Sequence, residues 1–213
     1  MKCMITGFEP FGNETINPSW EAVQALPDEI EGIEVIKCCL PTTFYRSKEV
    51  LYAKLKEVQP DLVICVGQAG GRDTISIEKV AINYMDARIA DNSGNQPVDV
   101  CICEEGPDAY FTTLPLRKMV SHLRACEIPA TISYSAGTFV CNYIMYAALD
   151  YMHHSSCPVP AGFIHVPFAP SQGLERNVPT MSLPLIQEGL REAIRAIALD
   201  VCEVSTASMG QIQ

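Results

Sequence analysis

The chain has no run of basic residues anywhere along its 213 positions. Its 15 Lys and Arg stand against 25 Asp and Glu, a formal net charge of −10. Clustered cations are what phosphate backbones and anionic lipid headgroups need, so nucleic acid and membrane surfaces are excluded as partners. Paired metal-binding cysteines are missing too: there is no Cys-x-x-Cys, and the cluster His153-His154-Ser155-Ser156-Cys157 lacks a matching second half, so no metal is expected. The N-terminal stretch MKCMITGFEPFGNE has neither the long apolar region nor the small-residue cleavage site of an export signal. One uncharged stretch, residues 128–149, reaches 22 residues, long enough to cross a bilayer. Pro129, Thr131, Ser133, Ser135, Gly137, Thr138 and Asn142 interrupt it, so it reads as a buried strand followed by a buried helix, and no membrane association is expected. Internal repeats and interdomain linkers are absent as well.

What is present is a large apolar fraction, 48% hydrophobic against 19% charged, enough to bury one sizeable core. Ten cysteines would frame a disulfide scaffold only in a short secreted chain. Here Cys3, Cys38, Cys39, Cys65, Cys101 and Cys103 fall in or near strand-like runs, where cysteine serves as a small hydrophobe. Reduced thiols in a cytoplasm fit that pattern.

Apolar periodicity switches repeatedly between strand and helix. Strands are predicted over residues 2–8, 34–40, 61–67, 130–134 and 161–166. Helices are predicted over 18–26 (Asn17 as cap, Pro18 first), 43–58, 116–126, 140–151 and 181–199. TISIEKVAIN alternates like a strand, and residues 85–110 read as a turn-rich excursion containing short strands. The alternation predicts a three-layer α/β/α domain with a mostly parallel, twisted sheet over residues 1–201, followed by a frayed tail at 202–213.

Ligands bind at the carboxyl ends of strands in such sheets. The segments 7–12, 67–72 and 135–141, together with His165, are expected at those ends. Cys141 follows the Ala-Gly break in SYSAGTFVCNY, where a helix begins. There the helix dipole and free N–H groups would lower a thiol pKa and stabilise an oxyanion. The competing reading is a packing cysteine. His165, in GFIHVPFAP, is either a core histidine or a base beside the thiol. His122 is placed on a surface helix face, and His153 and His154 at a helix end. Glu78 reads either as part of a solvated strand face or as the carboxylate that orients an imidazole. GQAGGR could approach a small ligand or cradle phosphate, yet it is neither Gly-x-Gly-x-x-Gly nor a Walker loop.

Four segments, GFEPFGNETINPS (7–19), GQAGGRDTISIEKVAIN (67–83) with DARIADNSGNQP (86–97), SAGTFVCNYIMY (135–146) and GFIHVPFAP (162–170), resemble the pyrrolidone-carboxylate peptidase (pyroglutamyl-peptidase I) family in order and spacing. The resemblance implies a cysteine peptidase that removes N-terminal pyroglutamate from peptides, with Cys141 as nucleophile, His165 as general base and acid, and Glu78 orienting His165. It places Arg88 near the oxyanion, Phe8 and Phe11 around the pyrrolidone ring, and Gln68 at the ring's polar edge. It implies a cytoplasmic, cofactor-free and metal-free homotetramer acting on small peptides. No departure occurs at the three catalytic positions. Two other classes compete: a nucleoside phosphorylase-like transferase using GQAGGR for phosphate, and a noncatalytic binding module in which Cys141 and His165 are core residues.

Overall fold

The computed structural model describes residues 1–198 and residue 209. In chain order it contains β1 (Lys2–Phe8), α1 (Pro18–Gln24), β2 (Glu29–Ile30), β3 (Ile33–Leu40) and α2 (Arg46–Val58). Then come β4 (Leu62–Gln68), β5 (Ile75–Glu78), β6 (Val80–Ile82), β7 (Ala109–Phe111) and α3 (Leu116–Ala125). The last elements are β8 (Ala130–Ser133), α4 (Val140–His153), β9 (Ala161–Val166), α5 (Pro170–Gly173) and α6 (Leu183–Ala198). The tail predicted at 202–213 lies outside the described residues apart from Met209, as does Leu199.

Seven strands form the main sheet in the order β2-β3-β1-β4-β9-β5-β8, and β6 pairs with β7 in a small second sheet. β4 and β9 are buried along their whole length and carry no polar side chain except Gln68 and His165, as strands covered on both faces require. One face buries a cluster with α1, α3 and α6, including Val23, Val120 and Ile194. The other buries Met4, Cys65 and Phe163 against α2 and α4. The result is the expected three layers. No helix among the described residues is long and apolar enough to cross a membrane.

The sheet is mostly parallel but mixed. β5 runs against β9 and parallel to β8. Of the four segments expected at the carboxyl ends of parallel strands, those after β1 and β4 and at the end of β9 are so placed, whereas β8, which leads to Cys141, runs with β5 against β1, β4 and β9. TISIEKVAIN is also not one strand. It breaks at Lys79, whose N–H donates to Ser133 O (2.7 Å), and β6 turns off to meet β7.

Local chemistry accounts for the element boundaries. Asn17 Oδ1 accepts from Ser19 N (3.1 Å) with Pro18 at the first helical position, and Ser19 Oγ accepts from Phe8 N (3.1 Å), clamping α1 onto the end of β1. Gly7 permits this approach, since a Cβ there would stand 2.7 Å from Trp20 Cα. α2 starts at Arg46 instead of the predicted Thr43. Asp91 takes the Phe44 N–H (2.7 Å), and Tyr45 sits at φ 60°, so the chain turns before it coils. His122, expected on a surface face, is instead half-buried against Glu192 of α6 (2.7 Å).

Candidate active site

The site forms where α4 meets the β4–β9 pair. Gly67 of β4 lies opposite His165 of β9. The space a side chain at Gly67 would fill is taken: its Cβ position is 2.7 Å from Cys141 Sγ and 2.8 Å from Phe163 Cζ. Neighbouring strands are about 4.8 Å apart, and residues opposite each other share a face. His165 therefore rises about one strand spacing from the point on which the Cys141 sulfur rests. Its ring packs on that of Phe163, centroids 4.8 Å apart.

The same register delivers Glu78. Ser76 of β5 pairs with His165, so Glu78, two residues on, projects from the same face. His165 Nδ1–H donates to Glu78 Oε1 (2.7 Å), and both side chains are buried, at 3% and 0% exposure. A carboxylate only accepts, so Nδ1 carries the hydrogen and Nε2 of the neutral ring keeps its lone pair. The solvated-face reading of Glu78 fails, because β5 is an interior strand.

Arg72, at the end of GQAGGR, completes the constellation. Its Nη1 donates to Glu78 Oε1 (2.6 Å) and its Nη2 to Ser135 O (3.0 Å), in the loop before Cys141. Burial acts to raise the Glu78 pKa. The His165 hydrogen bond and charge, with the Arg72 charge, outweigh it and hold the carboxyl below its ordinary value.

Cys141 is the second residue of α4. Its N-cap, Phe139, offers no side-chain hydrogen bond, so the first-turn N–H groups stay open to an incoming oxyanion. The loop in front of it turns at Gly137 with φ 79°, a conformation that favours glycine. Asn142 hooks this helix start to the neighbouring segment: its Oδ1 accepts from Ile82 N (3.0 Å), and its Nδ2 donates to Ile82 O and Tyr84 O (2.9 and 3.0 Å). The lowered thiol pKa expected from the helix start is not what results. Although the residue as a whole is only half-buried, its sulfur is packed over Gly67 and Phe163, and burial, followed by the Glu78 charge, pushes the thiol up to about 12.

The remaining predicted residues distribute unevenly. Phe11 is half-buried, 5.9 Å from the Phe139 ring. Phe8 is 2% exposed and packs 6.3 Å from Phe163, which makes it a support behind the site instead of an open wall. Gln68 is buried, and Gln172 Nε2 donates to its Oε1 (2.9 Å). Arg88 is exposed, two residues beyond Asp86, which is tied to the loop before Cys141 by Thr138 Oγ1 donating to Asp86 O (2.7 Å).

The sequence reading singled out neither Arg72, Asn142 nor Gln172 for a role in the site. Arg72 did carry a signal, as the sole charge in GQAGGR. The close approach at Gly67 makes a direct prediction. In Gly67→Ala the new methyl displaces the sulfur from its seat, and any Cys141-dependent turnover falls about ten- to a hundredfold. The helix content, read by circular dichroism, stays unchanged.

The chain is similar to known proteins over most of its length. The family model described as pyroglutamyl peptidase matches residues 1–200. Pyrrolidone-carboxylate peptidase 1 of Caldanaerobacter subterraneus subsp. tengcongensis is 50% identical over 198 residues, 92% of this chain and 98% of that one. Pyrrolidone-carboxylate peptidase of Thermosipho africanus is 52% identical over 198 residues, covering 92% and 97%. The crystal structure of pyroglutamyl peptidase I from Bacillus amyloliquefaciens superposes with a TM-score of 0.91 at 45% identity, covering 93% of this chain and 95% of that one. The chain belongs to the pyroglutamyl peptidase family.

Proposed function

We propose that this chain removes an N-terminal pyroglutamyl (5-oxoprolyl) residue from small peptides through an acyl-thioester on Cys141. The observation that carries this reading is the buried Glu78–His165 hydrogen bond on the sheet face where the Cys141 sulfur rests. Sγ attacks the pyroglutamyl carbonyl as His165 Nε2 takes the thiol proton. The N–H groups at the start of α4, with Arg88 nearby, hold the oxyanion. His165 returns the proton to the leaving amine, and water then releases the acyl group.

The lactam sets the specificity. Pyroglutamate has no free amine, so its site needs no acidic partner, only an apolar wall and groups for the ring amide. Phe11 supplies the wall, with Phe8 as backing. The polarity of Gln68 follows from its neighbours. Ala169 N–H donates to Gln172 Oε1 (3.0 Å), so Gln172 Nε2 must be the donor, and it gives to Gln68 Oε1 (2.9 Å) and Glu14 Oε2 (3.1 Å). With its oxygen engaged, Gln68 has its NH2 left for a lactam carbonyl, which a plain proline ring lacks.

The test is release of an arylamine from pyroglutamyl- and prolyl-arylamides, with and without prior alkylation by iodoacetamide carried to completion at alkaline pH. Release from the first substrate alone, abolished by alkylation, is expected. Equal release from both, or survival of activity after alkylation, would overturn the reading. In the same assay Gln172→Leu frees the Gln68 amide to turn. KM rises about five- to tenfold, the loss of one hydrogen bond of about 1 kcal/mol, while kcat changes little.

The transferase alternative is not favoured, because Arg72, the one cation of GQAGGR, is committed to Glu78 and Ser135. A cytoplasmic homotetramer remains part of the proposal. The exposed Phe111 and Ile82 on the paired strands β7 and β6 support association.

A further inference from the structure

On the face of the sheet away from Cys141, α3 packs along α6. His122 on α3 and Cys126, the residue that caps that helix one turn on, project toward Glu192 of α6. His122 Nε2 lies 2.7 Å from Glu192 Oε2 and 3.9 Å from Cys126 Sγ, which is 3.7 Å from the same carboxylate oxygen. An imidazole, a thiol and a carboxylate thus converge on one point.

Tetrahedral zinc sets its own distances. Bonds of about 2.0–2.1 Å to nitrogen, 2.3 Å to sulfur and 2.0–2.2 Å to oxygen put the donors about 3.4–3.6 Å apart. Both edges of the triangle that involve sulfur, 3.9 and 3.7 Å, already lie within a few tenths of that spacing. Only the nitrogen–oxygen edge, now a hydrogen bond of 2.7 Å, has to open, by about 0.7 Å, to admit the ion.

The surroundings fit a resident ion. Glu192 is 2% exposed, and its other oxygen, Oε1, is held by Arg191 Nη2 (3.0 Å) and Arg195 Nη1 (3.5 Å), which fixes Oε2 facing His122 and Cys126. Cys126 is exposed, so a fourth position faces solvent and can take water. A thiolate and a carboxylate neutralise a divalent cation, and the sulfur selects zinc over magnesium or calcium. The two arginines work against binding through their charge, partly offset by Glu188 and Glu31, which pair with Arg191 and Arg195.

We propose that His122, Cys126 and Glu192 form a zinc site that clamps α3 to α6, separate from the Cys141 centre. The step is a ligand exchange: hydrated zinc gives up three waters to bind Sγ, Nε2 and Oε2, the Cys126 thiol releases its proton to solvent, and the hydrogen that Nε2 holds toward Glu192 passes by way of solvent to Nδ1, leaving the ring neutral.

The test uses the full chain carrying Cys141→Ala, which removes the active-site thiol near His165, freed of metal by chelation and titrated with Co²⁺. One equivalent should produce a thiolate-to-cobalt charge-transfer band in the near ultraviolet with intense visible bands of a tetrahedral ion. Zn²⁺ should bleach both and raise the melting temperature. Cys126→Ser, a change at an exposed position, should abolish the charge-transfer band, and His122→Ala should weaken Co²⁺ binding at least about tenfold. Absence of the band in the Cys141→Ala chain, or its survival in the Cys126→Ser double variant, overturns the proposal.

Discussion

Cys141→Ser lowers pyroglutamyl-arylamide turnover by at least about four orders of magnitude, since removing the nucleophile of such a constellation leaves only binding and oxyanion stabilisation. The argument extends to how the wild-type thiol is activated. With burial, then the Glu78 charge, pushing its pKa up to about 12, the resting sulfur at neutral pH is a thiol. The proton leaves as the sulfur attacks, and Nε2, whose lone pair the Glu78 bond secures, receives it. This has a measurable sign. A raised pKa means that the thiolate fraction climbs about tenfold per pH unit through the alkaline range, so inactivation of the free enzyme by iodoacetamide should be slow at pH 7 and climb with that slope past pH 9. A rate that plateaus near pH 6 would show a thiolate already formed, and the general-base account would be abandoned.

The contrast between the thiol's legible position and its illegible pKa marks what sequence could reveal. An Ala-Gly break before an apolar helix announces a helix start, and Cys141 stands there. Its desolvation depends on Gly67 and Phe163, contributed by two strands distant in sequence, and no local pattern encodes that. The strands read over 61–67 and 161–166 were legible because strands buried on both faces must be largely apolar, as the observed Leu62–Gln68 and Ala161–Val166 are apart from Gln68 and His165. The direction of β5 was not, since four residues of strand look the same whichever way they run. Alternation of Ile75 and Ile77 with Ser76 and Glu78 ordinarily means one wet face. Here β9 and β8 flank the strand, both faces are covered, and the polar pair is buried with its partners. The His122–Glu192 contact spans 70 residues and leaves no periodic trace. Family resemblance carried the site assignments across these gaps, and it gave no hint of Arg72 or Gln172.

Glu78→Gln is the second large effect, and it separates charge from geometry. His165 Nδ1 and Arg72 Nη1 converge on a single oxygen, Oε1, which a glutamine can still present, so the imidazole keeps its orientation while the negative charge beside it is lost. Without that charge the imidazolium formed during attack is less stable, and kcat/KM falls about 10²–10³-fold. Glu78→Ala also removes the acceptor, freeing the ring and leaving Arg72 without its carboxylate, and the loss reaches about 10³–10⁴-fold with a destabilisation of about 3 kcal/mol. Stability against pH gives a second, independent readout. The folded-state pKa of Glu78 is depressed below the ordinary 4.5. The stability conferred by its ionisation is therefore fully present above that ordinary value and disappears as pH falls through the lower folded one. Urea midpoints of the wild type should fall between about pH 5 and pH 3 more steeply than those of Glu78→Gln, which has no proton to bind there. Parallel acid limbs would mean that the carboxylate gains nothing from His165 and Arg72, and wild-type turnover in Glu78→Gln would remove its charge from the mechanism altogether.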